Sequence, residues 1–293
     1  ELIKDLPSAF QEFADAKKNS FLTGLFVACV LLLTSCDSII NTVYVPYKSS
    51  EDSKWGMISM DGSVLFENEF KHCPTCVSNG IFYVKNGNDM WEMYEASENP
   101  EKVGEEYIGI CPFTAEVTPA VKKNERITLI NKSGKVTATL DKAKGKSIKA
   151  CFAFTFGYAI IRTEDDKFGA IDTRGNVIID PKYDQLFPID QDMLAGYNTE
   201  PEKDYDNFSF ITPKGSVKMT LNVGRGQKYS SIDIMNSVNS SKYLAVCTKT
   251  DGEDYWGYIN YNKEVILKPS KKVRGIGSLL DDKFIYQNDE GKV

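Results

Sequence analysis

A short phrase recurs along this chain: an aromatic residue and glycine, an apolar run, a turn and a second apolar run. It reads KWGMISMDGSVLF from Lys54, KFGAIDTRGNVIIDPKY from Lys167 and YWGYINYNKEVILKP from Tyr255. Such repetition constrains architecture before any single residue does. A unit this short cannot bury its own faces and must stack on neighbours. Weaker copies fill the gaps. Anchored on the tryptophan position, the copies fall at Trp55, Trp91, Thr128, Phe168, Ser209 and Trp256, at spacings of 36, 37, 40, 41 and 47 residues. Six units are expected, with a seventh opening near Gly291-Lys292-Val293.

Each unit has a second half, seen by comparing copies within the chain. Phe70 to Val84, Tyr107 to Val121, Tyr183 to Tyr197 and Tyr229 to Val246 each run from an aromatic residue into another apolar stretch. Apolar runs of four to six residues, rich in Val, Ile, Phe and Tyr and broken by Asp, Asn, Gly and Lys, read as strands joined by hairpins. No unit carries a long helical pattern. The glycine of Trp55-Gly56, Phe168-Gly169 and Trp256-Gly257 permits close backbone approach or a bulge. The aromatic beside it offers a large apolar body to cover a neighbouring unit. Trp55, Phe168 and Trp256 are therefore expected to be largely buried. Pro181 and Pro269 are expected at strand ends. The predicted fold is all-β, with tandem repeats of about 40 residues forming a propeller-like arc or ring of about six units. An elongated β-solenoid or stacked hairpin array is the alternative.

These residues resemble the WG-repeat family of bacterial proteins, over roughly residues 54 to 293. The resemblance is carried by Trp55, Phe168 and Trp256 with their glycines, and is weakest at Trp91 and Ser209. It implies repeated all-β units in surface or envelope proteins. It implies no reaction, so it carries no catalytic residue over.

The front of the chain reads as an address. Residues 17–35 place two lysines before an apolar run from Phe21 to Leu33 and end in Leu33-Thr34-Ser35 before Cys36. A basic start, a short apolar run and small residues before a cut mark a secretory signal. The run has 13 residues, well short of the roughly 20 that span a bilayer. Leu-x-Ser-Cys looks like the bacterial lipobox, which implies lipid on Cys36 and a membrane-anchored envelope protein. Residues 36–53 would be a tether, although Val43–Tyr47 could instead add a first strand. Residues 1–16 read as an upstream extension of doubtful reality, and residues 54–293 as the repeat domain, expected to be truncated at its C-terminus.

The formal charge of −6 comes without a concentrated basic face, which argues against nucleic acid. No cofactor and no metal are expected. Cys73 and Cys76 invite a local disulfide, whereas a zinc site would need ligands beyond them and His72, the only histidine. Cys111, Cys151 and Cys247 read as small buried apolar residues. The acidic runs 164–166, 190–192 and 251–254 are expected at hairpin tips. Tyr255, Tyr258 and Tyr261 could form an exposed platform for sugar.

The leading functional reading is a non-enzymatic scaffold that binds another envelope protein. A carbohydrate-binding lipoprotein is the alternative, and a hydrolase with a carboxylate site comes third.

Overall fold

A computed structural model describes residues 43–293 except 201, 235–241, 274, 281–282, 289, 291 and 293. The upstream extension, the signal and Cys36 lie outside the described residues. Every regular element among those described is a strand. The first sheet holds β1 (Tyr44–Tyr47), β2 (Trp55–Ser59) and β3 (Val64–Phe70). The option of a strand within the tether segment is therefore the one observed. A six-stranded sheet follows, with β4 (Ile81–Lys85), β5 (Trp91–Glu95), β6 (Lys102–Ile110), β7 (Val117–Lys122), β8 (Ile127–Asn131) and β9 (Val136–Thr139). It contains two sequence units, because the long β6 closes one and opens the next. The third sheet holds β10 (Lys142–Ala143), β11 (Lys146–Cys151), β12 (Tyr158–Thr163), β13 (Phe168–Asp172) and β14 (Val177–Tyr183). The fourth holds β15 (Gln185–Asp190), β16 (Met193–Thr199), β17 (Tyr205–Ile211) and β18 (Val217–Gly224). The fifth holds β19 (Ser231–Asp233), β20 (Tyr243–Thr250), β21 (Glu253–Asn260) and β22 (Val265–Leu267), and the last holds β23 (Gly275–Leu280) and β24 (Lys283–Gln287).

Among the described residues, all strand neighbours are antiparallel and sequential. The fold is thus all-β and propeller-like, a series of meander sheets rather than the coils of a solenoid. Five apolar cores hold the series together. One joins Met57 and Phe66 of the first sheet to Phe82 and Val84. Another joins Ala159, Ile161 and Ile171 of the third sheet to Leu129 of the one before. Tyr158, Ile160 and Ala170 meet Leu186 and Leu194 of the fourth sheet, and Phe210 meets Leu244 and Ile259 of the fifth. Alternation along each strand sends successive side chains to opposite neighbours. That is why these strands read as continuous apolar runs.

The glycine of the repeated phrase has a specific task. Between Trp55 and Met57 the partner strand steps from Phe70 to Phe66, and between Phe168 and Ala170 it steps from Tyr183 to Ile179. Two residues of the aromatic strand face four of its neighbour, a bulge with more than the usual one extra residue. The surplus backbone folds over the glycine. A β-carbon on Gly56 would stand 2.5 Å from the Phe66 carbonyl oxygen, and one on Gly169 2.6 Å from that of Ile179. Gly257 meets the Leu267 carbonyl and Pro269 in the same way. Pro181 lies inside β14, at the bulge, not at a strand end as expected. Glu92 replaces the glycine without loss of the bulge, for between Trp91 and Met93 the partner steps from Tyr107 to Val103, but at Thr128 and Ser209 the step is absent. Thr128 pairs directly with Thr139, and Ser209 with Thr220.

The turns correct the register of two units. Asn131 Oδ1 accepts the N–H of Ser133 at 3.1 Å and of Lys135 at 2.9 Å. Asp172 does so for Arg174 and Asn176, and Asn260 for Asn262 and Glu264. Ser59 and Thr212 hold Ser63 and Ser216 with their hydroxyls. Each turn residue lies four positions after the aromatic one. Ile127 and Phe208 therefore occupy the aromatic position, while Thr128 and Ser209 occupy the glycine position. A one-residue slip sends every side chain to the opposite face. Asn288 Oδ1 accepts from Glu290 and Lys292 in the same pattern, so the seventh phrase opens at Lys283 rather than at Gly291.

Trp55, Phe168 and Trp256 are half-buried, not largely buried. Trp55 and Phe168 are the first residues of their strands. Each is covered from one side, Trp55 by the Lys48 ammonium at 5.4 Å and Phe168 by the Phe152 ring at 6.4 Å. The residues two positions on, Met57, Ala170 and Tyr258, are fully enclosed instead.

Candidate interaction surface

The corrected register brings Phe208 into a row with two other side chains. Gln185 pairs with Tyr197, and Tyr197 pairs with Phe208. Directly opposed residues share a face, so the three side chains stand side by side on the fourth sheet. Their face turns toward the first strand of the fifth sheet. Gln185, Phe187, Tyr197 and Phe208 line one side of an open groove of about 420 Å³, and Ile232, Asp233 and Ile234 line the other. The Tyr197 and Phe208 rings lie 5.0 Å apart at 43°. The Tyr197 hydroxyl donates to Asp206 Oδ1 at 3.1 Å. Burial, and then this carboxylate, push the Tyr197 phenol above its ordinary pKa. All seven lining residues are half-buried. No lysine or arginine is among them.

A junction fixes the near end of this face. Asp184 separates β14 from β15. Its Oδ2 accepts from the Thr199 N–H and hydroxyl, both at 2.8 Å, and Lys167 Nζ pairs with its Oδ1. These contacts hold its carboxyl below the usual carboxylate range, with Lys167 the leading cause. Asp184 thereby ties the phrase of one sheet to the second strand of the next.

A second groove, lined by Lys102, Gly104, Glu105, Glu106, Lys122, Lys123 and Asn124, is charged. Its charges satisfy one another: Lys102 pairs with Glu106 at 3.5 Å, Lys123 with Glu106 at 2.8 Å and Lys122 with Glu105 at 3.1 Å. It presents no unmet charge to a ligand.

The other candidates fall apart in space or into the core. Cys73 and Cys76 are exposed free thiols in this structure. The backbone from Cys73 to Val77 runs without a turn or bend. Thr75 between them is zipped to Tyr83, donating its N–H to the Tyr83 carbonyl at 2.8 Å and accepting from the Tyr83 N–H at 3.0 Å. Cys247 is buried, while Cys111 and Cys151 are partly so. Tyr258 is 0% exposed and donates to the Gly277 carbonyl at 2.8 Å, and Tyr255 is buried as well. Tyr261 packs on Phe210 at 5.1 Å. These tyrosines build the core and form no exposed platform. The acidic runs sit at the β12–β13, β15–β16 and β20–β21 hairpin tips. There Asp165 pairs with Lys146, and Asp166 lies 3.9 Å from Lys149. His72 is exposed. The groove itself was not read from sequence. Its signal was the polar turn residue four positions after each aromatic, which places Phe208 beside Tyr197.

The described chain is, by fold, a tandem β-repeat protein of propeller-like sheets. Residues 168–197 match the family model described as WG containing repeat, in agreement with the resemblance at Phe168-Gly169. The match starts on β13 and ends on β16, so one sequence repeat straddles two sheets. Three solved structures are similar. BamB from Moraxella catarrhalis shares 14% identity, over 85% of this chain and 80% of that one, with a TM-score of 0.40. The WD40 beta propeller domain of Doa1 shares 12%, over 86% and 87%, at 0.32. The C-terminal WD40 domain of Sif2 shares 11%, over 74% and 68%, at 0.37. No curated protein matches the chain.

Proposed function

We propose that this chain is a lipid-anchored protein of the bacterial cell envelope whose repeat body is a non-enzymatic scaffold. It binds another protein through the groove between the fourth and fifth sheets. The observation that carries this reading is the set of half-buried Phe187, Tyr197, Phe208, Ile232 and Ile234 on one open surface. Aromatic side chains at a charge-depleted centre are what protein interfaces select. The address at residues 17–36 supports the anchor. Each buried methylene of a lipid chain contributes about 0.8 kcal/mol, so two chains or more hold a protein at a membrane.

The test uses the intact protein in its native membrane. A photo-cross-linking residue replaces Phe187, and in a control it replaces the exposed Thr220 of β18. One discrete adduct is expected from position 187, none from 220, and none from 187 once Phe208→Asp is added. Equal adducts from both positions would remove the groove as the binding surface. Separately, Cys36→Ser should abolish labelling by a palmitate analogue, and unchanged labelling would remove the anchor.

A further inference from the structure

The loop between β4 and β5 brings an electrophile and a nucleophile together. The chain has two Asn-Gly sequences, Asn79-Gly80 and Asn86-Gly87. The carboxamide carbon of an asparagine is an electrophile, and the backbone nitrogen of the next residue is a nucleophile already held beside it. Glycine crowds that nitrogen least, because it has no β-carbon. At Asn86 the electrophile is also activated. Its Oδ1 accepts the N–H of Asn88 at 2.9 Å and of Met90 at 3.2 Å. Two backbone donors on one carbonyl oxygen stabilise the negative charge that it gains under attack. The Gly87 N–H has no hydrogen-bond partner among the described residues. Nothing lies within 4 Å of a would-be β-carbon on Gly87, so the loop has room to close a ring.

We infer that Asn86-Gly87 is a site of self-modification. The Gly87 nitrogen attacks Asn86 Cγ and forms a C–N bond, giving up its proton to solvent. The bond from Cγ to Nδ2 breaks, and Nδ2 takes a proton from water and leaves as ammonia. Water then opens the cyclic imide at either carbonyl, which yields aspartate or isoaspartate. No electrons are exchanged, and water is the one co-reactant. Other asparagines have one ingredient each. Asn131 and Asn260 hold the same pair of N–H groups on Oδ1, but Lys132 and Tyr261 follow them. Asn79 precedes a glycine, but its amide donates to the Phe113 carbonyl, and among the described residues no N–H reaches its Oδ1. Asn79 and Gly80 also have φ of 52° and 79°, between Ser78 and Ile81 that exchange both backbone bonds. Ring closure there would have to break a tight hairpin turn. At position 86 aspartate suits the turn, as Asp172 shows by making the same two bonds. It sets a second carboxylate against Glu92, which accepts from Asn86 Nδ2 at 3.3 Å. Isoaspartate lengthens the backbone between β4 and β5, and Phe82 and Val84 of β4 belong to the core shared with the first sheet.

The experiment ages the full chain in warm, mildly alkaline buffer. Peptide mass spectrometry follows amide-to-acid conversion at Asn79, Asn86, Asn131 and Asn260, and chromatography separates aspartate from isoaspartate. Asn86 should convert at least about tenfold faster than the other three, a modest share of what oxyanion donors supply in enzymes. Both products should form. Gly87→Ala should slow conversion about tenfold and leave the urea midpoint unchanged. A rate at Asn86 no greater than at Asn79 would overturn the proposal by removing the activated carbonyl. A rate no greater than at Asn131 and Asn260, or an unslowed Gly87→Ala chain, would overturn it by removing the glycine nitrogen. Aspartate without isoaspartate would also overturn it, because direct hydrolysis forms no ring.

Discussion

Gly169 lies so close beneath the carbonyl oxygen of Ile179 that a β-carbon there would stand 2.6 Å from it. Real β-carbons do not approach backbone oxygen so closely. The repeated aromatic-glycine phrase is therefore the sequence mark of a bulge in the following strand.

Substituting this glycine should separate it from ordinary glycines. Gly169→Ala and Gly257→Ala each force the bulge away from its neighbour, and overpacking of this kind costs about 1–3 kcal/mol. Gly87 has nothing within 4 Å of its would-be β-carbon, so Gly87→Ala should stay within about 0.5 kcal/mol of the parent. Urea unfolding midpoints report all three. A shift at Gly87 as large as at Gly169 would mean that the bulge is not what selects glycine.

The half-burial of the signature aromatics sets a second expectation. Phe210 is 0% exposed in the core between the fourth and fifth sheets, and Phe210→Ala should cost about 3–5 kcal/mol. Phe168 stands at a strand start and packs from one side, so Phe168→Ala should cost clearly less, about 1–3 kcal/mol. The same denaturant series ranks the two. The reverse order would show that the repeated aromatic, not its neighbour two residues on, is the anchor of the unit.

How far sequence reached can be judged at particular residues. Strands, turns and the three glycine-bearing units were legible because glycine and the following hairpin mark the register twice. At Ile127 and Phe208 neither tryptophan nor glycine is present. Ile127–Asn131 is apolar on both faces, and Tyr205–Ile211 carries polar residues on both, so alternation could not tell Thr128 from Ile127 or Ser209 from Phe208. Asn131 and Thr212, by holding the turn, would have settled it. The sharing of β6 between two units was not legible either, since its length depends on tertiary pairing with both β5 and β7. The groove was hidden for the same reason. It depends on which residue of β17 faces β19.

Acid should loosen the junction at Asp184. Its pKa is lowered in the folded chain, first by Lys167 and then by the Thr199 N–H. A depressed carboxylate contributes stability that is fully present above the unfolded value, 3.8, and lost as pH falls through the lower folded value. The contribution of this group should therefore stay constant between neutral pH and about 5, then fall below about 4. In Asp184→Asn that part of the acid slope should be absent and stability at neutral pH lower. Identical acid limbs for variant and parent would show that the junction does not contribute.

The last sheet gives a prediction for backbone protection. β13 pairs with β12 on one side and with β14 on the other, so the amides of Ala170 to Asp172 lie inside a ladder. β24 shares a sheet with β23 alone among the described residues, and Tyr286 is 41% exposed. A two-stranded hairpin is marginal in water without further packing. Its opening should be local, whereas opening of β13 requires the third sheet to unfold. Hydrogen exchange of the full chain measures the difference directly. Amides of Phe284 to Tyr286 should exchange faster than those of Ala170 to Asp172 by orders of magnitude. Equal protection would mean that β24 is held by contacts beyond its pairing with β23, and that the final hairpin opens only with the body of the repeat.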